Sequence, residues 1–229
     1  MPNHTVYLVR DPTEEEIAHM VELHVKAYEG DPATGVMLGN DWSLSGDLGQ
    51  AIIRATLLEG ELYAVKDGDK IVSYGAWFSP GTGLFATPEQ RALGWDQFFE
   101  KLKPEIQYWF NHTVREISLI DWNIELDQRQ YPDTNRKHAE AMFTDEERQR
   151  RWWCPDLVTD PASQGRGYAT AIVDCVFRMV RGKGGFIGLA TTKPVNVRKY
   201  TSMGFRERGS YNIPSPIVDL ENHILTRET

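Results

Sequence analysis

Cysteine is scarce in this chain of 229 residues: Cys154 and Cys175 stand far apart, with no Cys-x-x-Cys pair. That argues against a disulfide framework and for two buried thiols in a reducing compartment. The sequons at Asn3 and Asn111 would carry no meaning there. Long apolar runs are missing too, and none approaches the roughly 20 residues that span a membrane. The first residues, Met-Pro-Asn-His-Thr, have neither the basic start nor the apolar stretch of a secretory leader. Basic excess is also lacking: 25 Lys and Arg stand against 33 Asp and Glu, for a net charge of −8. A general nucleic-acid binder needs a basic face to displace counterions, so that class is disfavoured. A cationic substrate is compatible with the balance. The expectation is a folded cytoplasmic protein, monomer or homodimer, with neither nucleic acid nor membrane as partner.

What is present reads as alternating strands and helices. Val6 to Arg10 has the alternation of a first strand. Asp11-Pro-Thr-Glu-Glu-Glu then suits a helix start, with a capping residue, a proline and acids in the first turn. Ile17, Met20, Val21, Val25 and Tyr28 recur on one face until Gly30-Asp-Pro stops the helix. A looser helix is expected from about 46 to 58. Residues 61–66 and 70–78 read as strands joined across Asp67-Gly-Asp, the clearest hairpin signal in the chain. A segment of about 70 residues follows. It holds a helix opened by Thr87-Pro-Glu-Gln, with Trp95, Phe98, Phe99 and Leu102 as a stripe, a second helix over Ile106 to Ile117, and a polar stretch to residue 150. The rest reads as a strand over 152–159, a helix burying Ala169, Ile172, Val173, Val176, Phe177 and Val180, a strand over 186–191, a helix over 196–203 capped by Gly204, and two last strands. The order β-α-α-β-β, insertion, β-α-β-α-β-β implies one α/β domain over 1–229, with the insertion at about 80–150.

The stretch with chemical content runs from Val158 to Val180. A strand ends at Thr159, Asp160-Pro161 turns the chain, and a helix starts in Gly165-Arg-Gly. Two glycines in a first turn weaken it, by about 1 kcal/mol each relative to alanine. The unpaired N–H groups and the helix dipole there would suit an anion such as a pyrophosphate, which would offset that loss. An ordinary glycine-containing helix start would read the same. The third glycine of a dinucleotide fingerprint is missing, as is the Gly-Lys-Ser/Thr of a Walker loop.

The stretch Leu157-Val-Thr159-Asp-Pro161-Ala-Ser-Gln164-Gly-Arg-Gly167-Tyr-Ala169 resembles motif A of the GNAT acetyltransferases, Leu-x-Val-x-Pro-x-x-Gln/Arg-x-x-Gly-x-Gly/Ala. It departs from that pattern only at Thr159. Downstream, Asn196-Val-Arg-Lys-Tyr200-Thr-Ser-Met-Gly204-Phe205 resembles motif B of the same family. The segment opening in Trp77-Phe-Ser-Pro-Gly looks like the version found in many poorly characterised fungal members. The resemblance implies a GNAT fold: a mixed sheet of about seven strands, helices on both faces, and a helical insertion between strands 3 and 4. It implies acetyl-CoA as co-substrate, an acyl transfer to an amine, and splayed fourth and fifth strands holding the thioester. Backbone groups of Leu157, Val158 and Thr159 would pair with the pantetheine arm. Gln164, Gly165, Arg166, Gly167, Tyr168, Ala169 and Thr170 would cradle the pyrophosphate. Asn196 would bond the cofactor near the thioester, and Tyr200 would protonate the leaving thiolate.

A phenol stays protonated at neutral pH, which suits that acid role. Tyr200 also shares a face with Val197 and Met203, as a core tyrosine would. Asp156 is the candidate general base, and its side chain could instead be solvated. Asp121, Glu125 and Asp127, beside Trp122, are further candidates. The histidines are expected to do little: His19 and His24 belong to the first helix, and His112, His138 and His223 sit in polar surroundings. No metal is expected, and no Gly-x-Ser-x-Gly elbow is present. The aromatic segment, with Tyr108, Trp109 and Phe110, reads as a helical pair on the sheet or as a lid walling the acceptor site. The expected acceptor is a small-molecule amine. Peptide or protein acetylation and a non-catalytic CoA-binding module stay open, as does a longer acyl donor.

Overall fold

The computed structural model describes residues 4–114 and 142–228. Seven strands form one sheet in the order β1-β2-β3-β4-β5-β7-β6. They are β1 (Val6–Leu8), β2 (Glu61–Asp67), β3 (Lys70–Phe78), β4 (Arg151–Thr159), β5 (Phe186–Thr191), β6 (Arg206–Ile213) and β7 (Leu220–Arg227). Only β4 and β5 run parallel; every other pair is antiparallel. This is the mixed seven-stranded sheet that the sequence led us to expect.

The helices are α1 (Glu14–Tyr28), α2 (Pro32–Met37), α3 (Ser45–Glu59), α4 (Asp96–Lys101), α5 (Pro104–Trp109), α6 (Asp145–Arg148), α7 (Tyr168–Gly182) and α8 (Pro194–Ser202). Helices α1 and α3 cover one face of the sheet; α7 and α8 pack on the other. Thr13 caps α1 in a reciprocal box with Glu16, satisfying two orphan backbone donors. The buried face of α1 is Ile17, Met20, Leu23 and His24, while Val25 is turned outward. The stripe predicted from apolar residues alone is therefore rotated, because a histidine takes one of its inner positions. Helix α7 has the expected spacing of three and four, burying Ile172, Val173, Val176, Phe177 and Val180. Its first inner residue is Tyr168, with Ala169 only half-buried.

The aromatic segment after β3 packs on the α3 face. Trp95, Phe98, Trp109 and Phe110 join Leu48, Ala51 and Ile52 in one cluster. The stripe is interrupted at Gly94, whose φ of 135° breaks the helix beside Ala51. On the described part of this segment, Arg208 of β6 ties α6 to the sheet edge. Its guanidinium donates to Glu147 Oε1 at 2.5 Å and to the Met142 carbonyl at 2.9 Å, and lies over the Phe143 ring.

The Arg208 hydrogen bond holds the Glu147 carboxyl down to about 2 from its ordinary 4.5, with the Thr144 cap adding to the effect. A carboxyl with a depressed folded pKa stabilises fully above its unfolded value, and that stabilisation is lost as pH falls through the folded one. Wild type is therefore expected to lose an increment of stability between about pH 4.5 and 2 that Glu147→Gln does not lose. Denaturant titrations across that window check it, and parallel curves for the two proteins would refute the assignment.

Candidate active site

The site begins where β4 and β5 stop pairing. Their parallel ladder runs from Arg151 opposite Phe186 to Cys154 opposite Leu189. Beyond that point β4 pairs only with β3, through Asp156 to Thr159, while Ala190 and Thr191 pair only with β7. A bulge accompanies the parting. From Phe78 to Ala76 the β3 strand takes two steps, whereas β4 takes three, from Trp153 to Asp156. The extra residue falls around Cys154-Pro155, and proline has no N–H to extend the ladder. The bulge also shifts the alternation, so that Cys154 packs with α7 and Asp156 turns toward α1.

The free edge of β4 is defined by register. Asp160 donates to the Val72 carbonyl at 2.9 Å, so the alternate positions Val158 and Asp156 also direct their backbone groups at β3. Leu157 and Thr159 then present theirs to the gap. Val158 is placed differently from its neighbours: its side chain is buried among α1 residues and its carbonyl also accepts from Ser73 Oγ at 2.7 Å. The gap opens into a cleft of about 520 Å³ between the start of α7 and α8, lined by Leu157, Thr159, Gln164, Gly165, Gly167, Ala169, Thr170, Asn196 and Tyr200.

Gly165 and Gly167 have φ of 78° and 87°, the left-handed region that disfavours any side chain. Gly167 is the cap of α7, whose first backbone bond is Ala171 N–H to the Gly167 carbonyl at 2.9 Å. The N–H groups from Gly165 to Thr170 donate no backbone bond among the described residues. They form a run of available donors. Tyr168 fixes the loop from below by donating to Asp67 at 2.9 Å, and His4 donates to the Arg166 carbonyl at 2.8 Å. The Arg166 side chain lies outside the cleft, paired with Asp67 at 3.4 Å.

On the opposite face of the sheet lies a second cavity of about 290 Å³. The two compartments share Tyr28, Asp31, Asn196 and Tyr200. Asp156 lines the inner cavity at 2% exposure. It accepts from Tyr28 Oη at 2.7 Å, from Tyr74 Oη at 3.2 Å and from His24 Nδ1 at 3.4 Å. Three donors around two oxygens suit an acceptor-only carboxylate. Burial first, and the nearby Asp156 second, push the Tyr28 and Tyr74 hydroxyls well above their ordinary range. The His24 ring rests against Gly49 of α3, where a Cβ would come within 2.9 Å of it.

Tyr200 is half-buried against Phe205, and Val197 and Met203 pack beside it. Burial, then Cys154 and Asp156, raises its hydroxyl above the ordinary range. Among the described residues that hydroxyl makes no hydrogen bond, so it is a protonated donor with a free hydrogen. Asn196 donates to Thr191 Oγ1 at 3.5 Å. His24, Tyr28 and Tyr74 were not identified as site residues from the sequence; the one signal for the first two was their spacing of four on a helix. Asp121, Trp122, Glu125 and Asp127 lie outside the described residues. Among those described, no three His, Cys, Asp or Glu side chains gather in a metal-binding group, and no helix is long and apolar enough to cross a membrane.

The sequence matches no family model and no curated protein. Solved structures do resemble the fold. One is a Corynebacterium glutamicum protein described as histone acetyltransferase HPA2 and related acetyltransferase: TM-score 0.56, 16% identity, covering 99% of this chain and 97% of that one. A GCN5-related N-acetyltransferase from Rhodopseudomonas palustris gives 0.53 at 9% identity, over 100% and 98%. The putative acetyltransferase yncA from Salmonella typhimurium, solved with its cofactor acetyl-CoA, gives 0.51 at 9% identity, over 99% and 94%. The chain thus has the fold of the GNAT acetyltransferases.

Gly167→Ala is expected to cost about 1–2 kcal/mol, the strain of a left-handed backbone on a residue with a Cβ. Gly182→Ala, at the far end of the same helix with open space around it and no positive φ, should leave stability equal or slightly higher. Urea midpoints of the two variants check the contrast.

Proposed function

We propose that the protein is an acetyl-CoA-dependent N-acetyltransferase acting on the primary amine of a small molecule. The observation that carries this reading is the junction of the two compartments. Tyr200 and Asn196 stand between a cleft edged by free backbone donors and a cavity holding a buried carboxylate. The donors from Gly165 to Thr170 fit a pyrophosphate at a helix start, and the gap-facing backbone of Leu157 and Thr159, whose Thr159 carbonyl accepts only a 3.5 Å contact from Gln164 Nε2, fits an amide-bearing arm laid along β4. Val158 contributes through its packing, and the Arg166 side chain stays at the mouth of the loop, where it adds positive charge. Asn196 would hold the reacting end at the gap. When bound, the thioester supplies an activated acetyl carbon.

The chain's own groups then handle the protons. Asp156 accepts one proton from the ammonium in the inner cavity, freeing the nitrogen lone pair. As the C–N bond forms and the C–S bond breaks, Tyr200 gives its proton to the leaving sulfur. The second proton of the nitrogen restores Tyr200 as the amide forms. The proton left on Asp156 is the one released to solvent. Tyr28, Tyr74 and His24 keep Asp156 oriented throughout. The Trp109 wall of the inner cavity, 5% exposed and contributed by the segment after β3, favours a small acceptor over an extended chain.

Tyr200→Phe is expected to lower kcat for CoA release by about 10²-fold or more, with acetyl-CoA affinity unchanged. Asp156→Asn should lower the rate similarly, with acetyl-CoA affinity again unchanged. Turnover by Tyr200→Phe equal to wild type would remove the acid assignment, and acetyl-CoA failing to bind wild type at all would remove the reaction.

A further inference from the structure

The inner cavity carries information about the body of its occupant as well as its head. Its lining includes the apolar side chains of Met37, Leu48, Ile52, Trp109, Ile213 and Leu220, beside the neutral polar Thr34, Tyr211 and Asn222, the last two bonded to each other at 2.9 Å. Trp109 Nε1 donates to the Pro214 carbonyl at 2.7 Å. The only polar atom of that side chain is thus already bonded, and the ring offers apolar surface alone.

Charge in the cavity is one-sided. Among the described residues it is lined by Asp31 and Asp156, with no lysine or arginine. Asp31 is committed elsewhere: Oδ2 pairs with Lys193 at 2.6 Å, and Oδ1 accepts from Thr34 N at 2.9 Å as the cap of α2. His24 is turned into Asp156 and its Nε2 is buried. A single ammonium would therefore meet Asp156. A carboxylate or phosphate on the same molecule would be buried without a cation, and a second ammonium would find no second carboxylate without a lysine partner; each is costly. The volume of about 290 Å³ sits at the small end for ligand sites, which run from roughly 300 to 1,000 Å³.

The geometry points to a substrate class: a compact, monocationic primary amine on an apolar body, such as an arylalkylamine or a short alkylamine, without any anionic group. This rests on the acetyltransferase reading above and narrows it. Amino acids, polyamines, aminoglycosides and lysine side chains on a polar peptide backbone are disfavoured by the same walls. Trp109 is the residue that sets the apolar preference.

Matched pairs test it, each pair sharing a body and differing by a carboxylate: 2-phenylethylamine against phenylalanine, and hexylamine against 6-aminohexanoate, with spermidine beside them. Steady-state CoA release is expected to give a kcat/KM at least about 100-fold higher for the uncharged-body member of each pair. Trp109→Ala should raise KM for those amines about 10-fold while leaving acetyl-CoA affinity unchanged; Trp109→Phe, which keeps an aromatic wall and guards against a folding defect, should raise it less. Equal or better use of the carboxylated members or of spermidine would overturn the class while leaving the reaction standing. Acetyl-CoA binding without turnover on any amine would overturn the reaction instead. The class would then be judged by titrating the same pairs into the CoA-loaded protein, following tryptophan fluorescence. Tighter 2-phenylethylamine than phenylalanine supports it, and equal affinities end it.

Discussion

The interrupted ladder between β4 and β5 is the constraint on which the rest of the site depends. A sheet interior normally spends every backbone donor and acceptor on a neighbour. Here the two central strands part after Cys154 and Leu189, and the bulge at Cys154-Pro155 makes the parting a property of the strand itself. The backbone of Leu157 and Thr159 is left facing a gap, in the middle of the molecule rather than at its edge. Two cavities that share Tyr28, Asp31, Asn196 and Tyr200 lie at that gap. The glycine-rich loop opens on one side of it, the carboxylate cavity on the other, and Tyr200 stands in between.

The bulge also decides what Asp156 touches. It turns that carboxyl toward α1, where Tyr28 and His24, one helical turn apart, reach it together with Tyr74 from β3. A buried carboxylate is tolerated only when its lone pairs are satisfied. The tyrosines serve because burial keeps them protonated, and the imidazole fits because α3 offers a glycine at the point of contact. The network thus links the sheet to both helices on that face. It also gives the cavity its one carboxylate without a lysine or arginine partner among the described residues.

Much of the frame was legible beforehand. The Asp67-Gly-Asp hairpin, the capped start of α1 and the striped α7 follow from local chemistry that needs no distant partner. The Gln164 to Ala169 pattern marked the loop, because only glycine tolerates its backbone angles. Less was legible where identity and position disagree. Val25 reads as a core residue and is exposed; His24 reads as incidental and is buried, since periodicity marks a face without saying what packs on it. The helix expected from residue 87 breaks at Gly94, which approaches α3 closely. Val158 and Arg166, grouped with the cofactor residues by pattern, turn to β3 and to Asp67 because strand register and loop packing set their directions.

By itself the sequence determined the local elements, the glycine loop at the start of α7, and the placing of Asn196 and Tyr200 one turn apart on a short helix. These depend on residues within a few positions of one another, where backbone sterics and helix periodicity suffice. Only the tertiary structure decided that β4 and β5 part, that His24, Tyr28 and Tyr74 converge on Asp156, and that Trp109 joins the lining of the same cavity. Those contacts join residues 82 to 132 positions apart around the carboxyl and 105 between Trp109 and Pro214. They arise from register, bulge and packing, none of which a single strand or helix encodes alone.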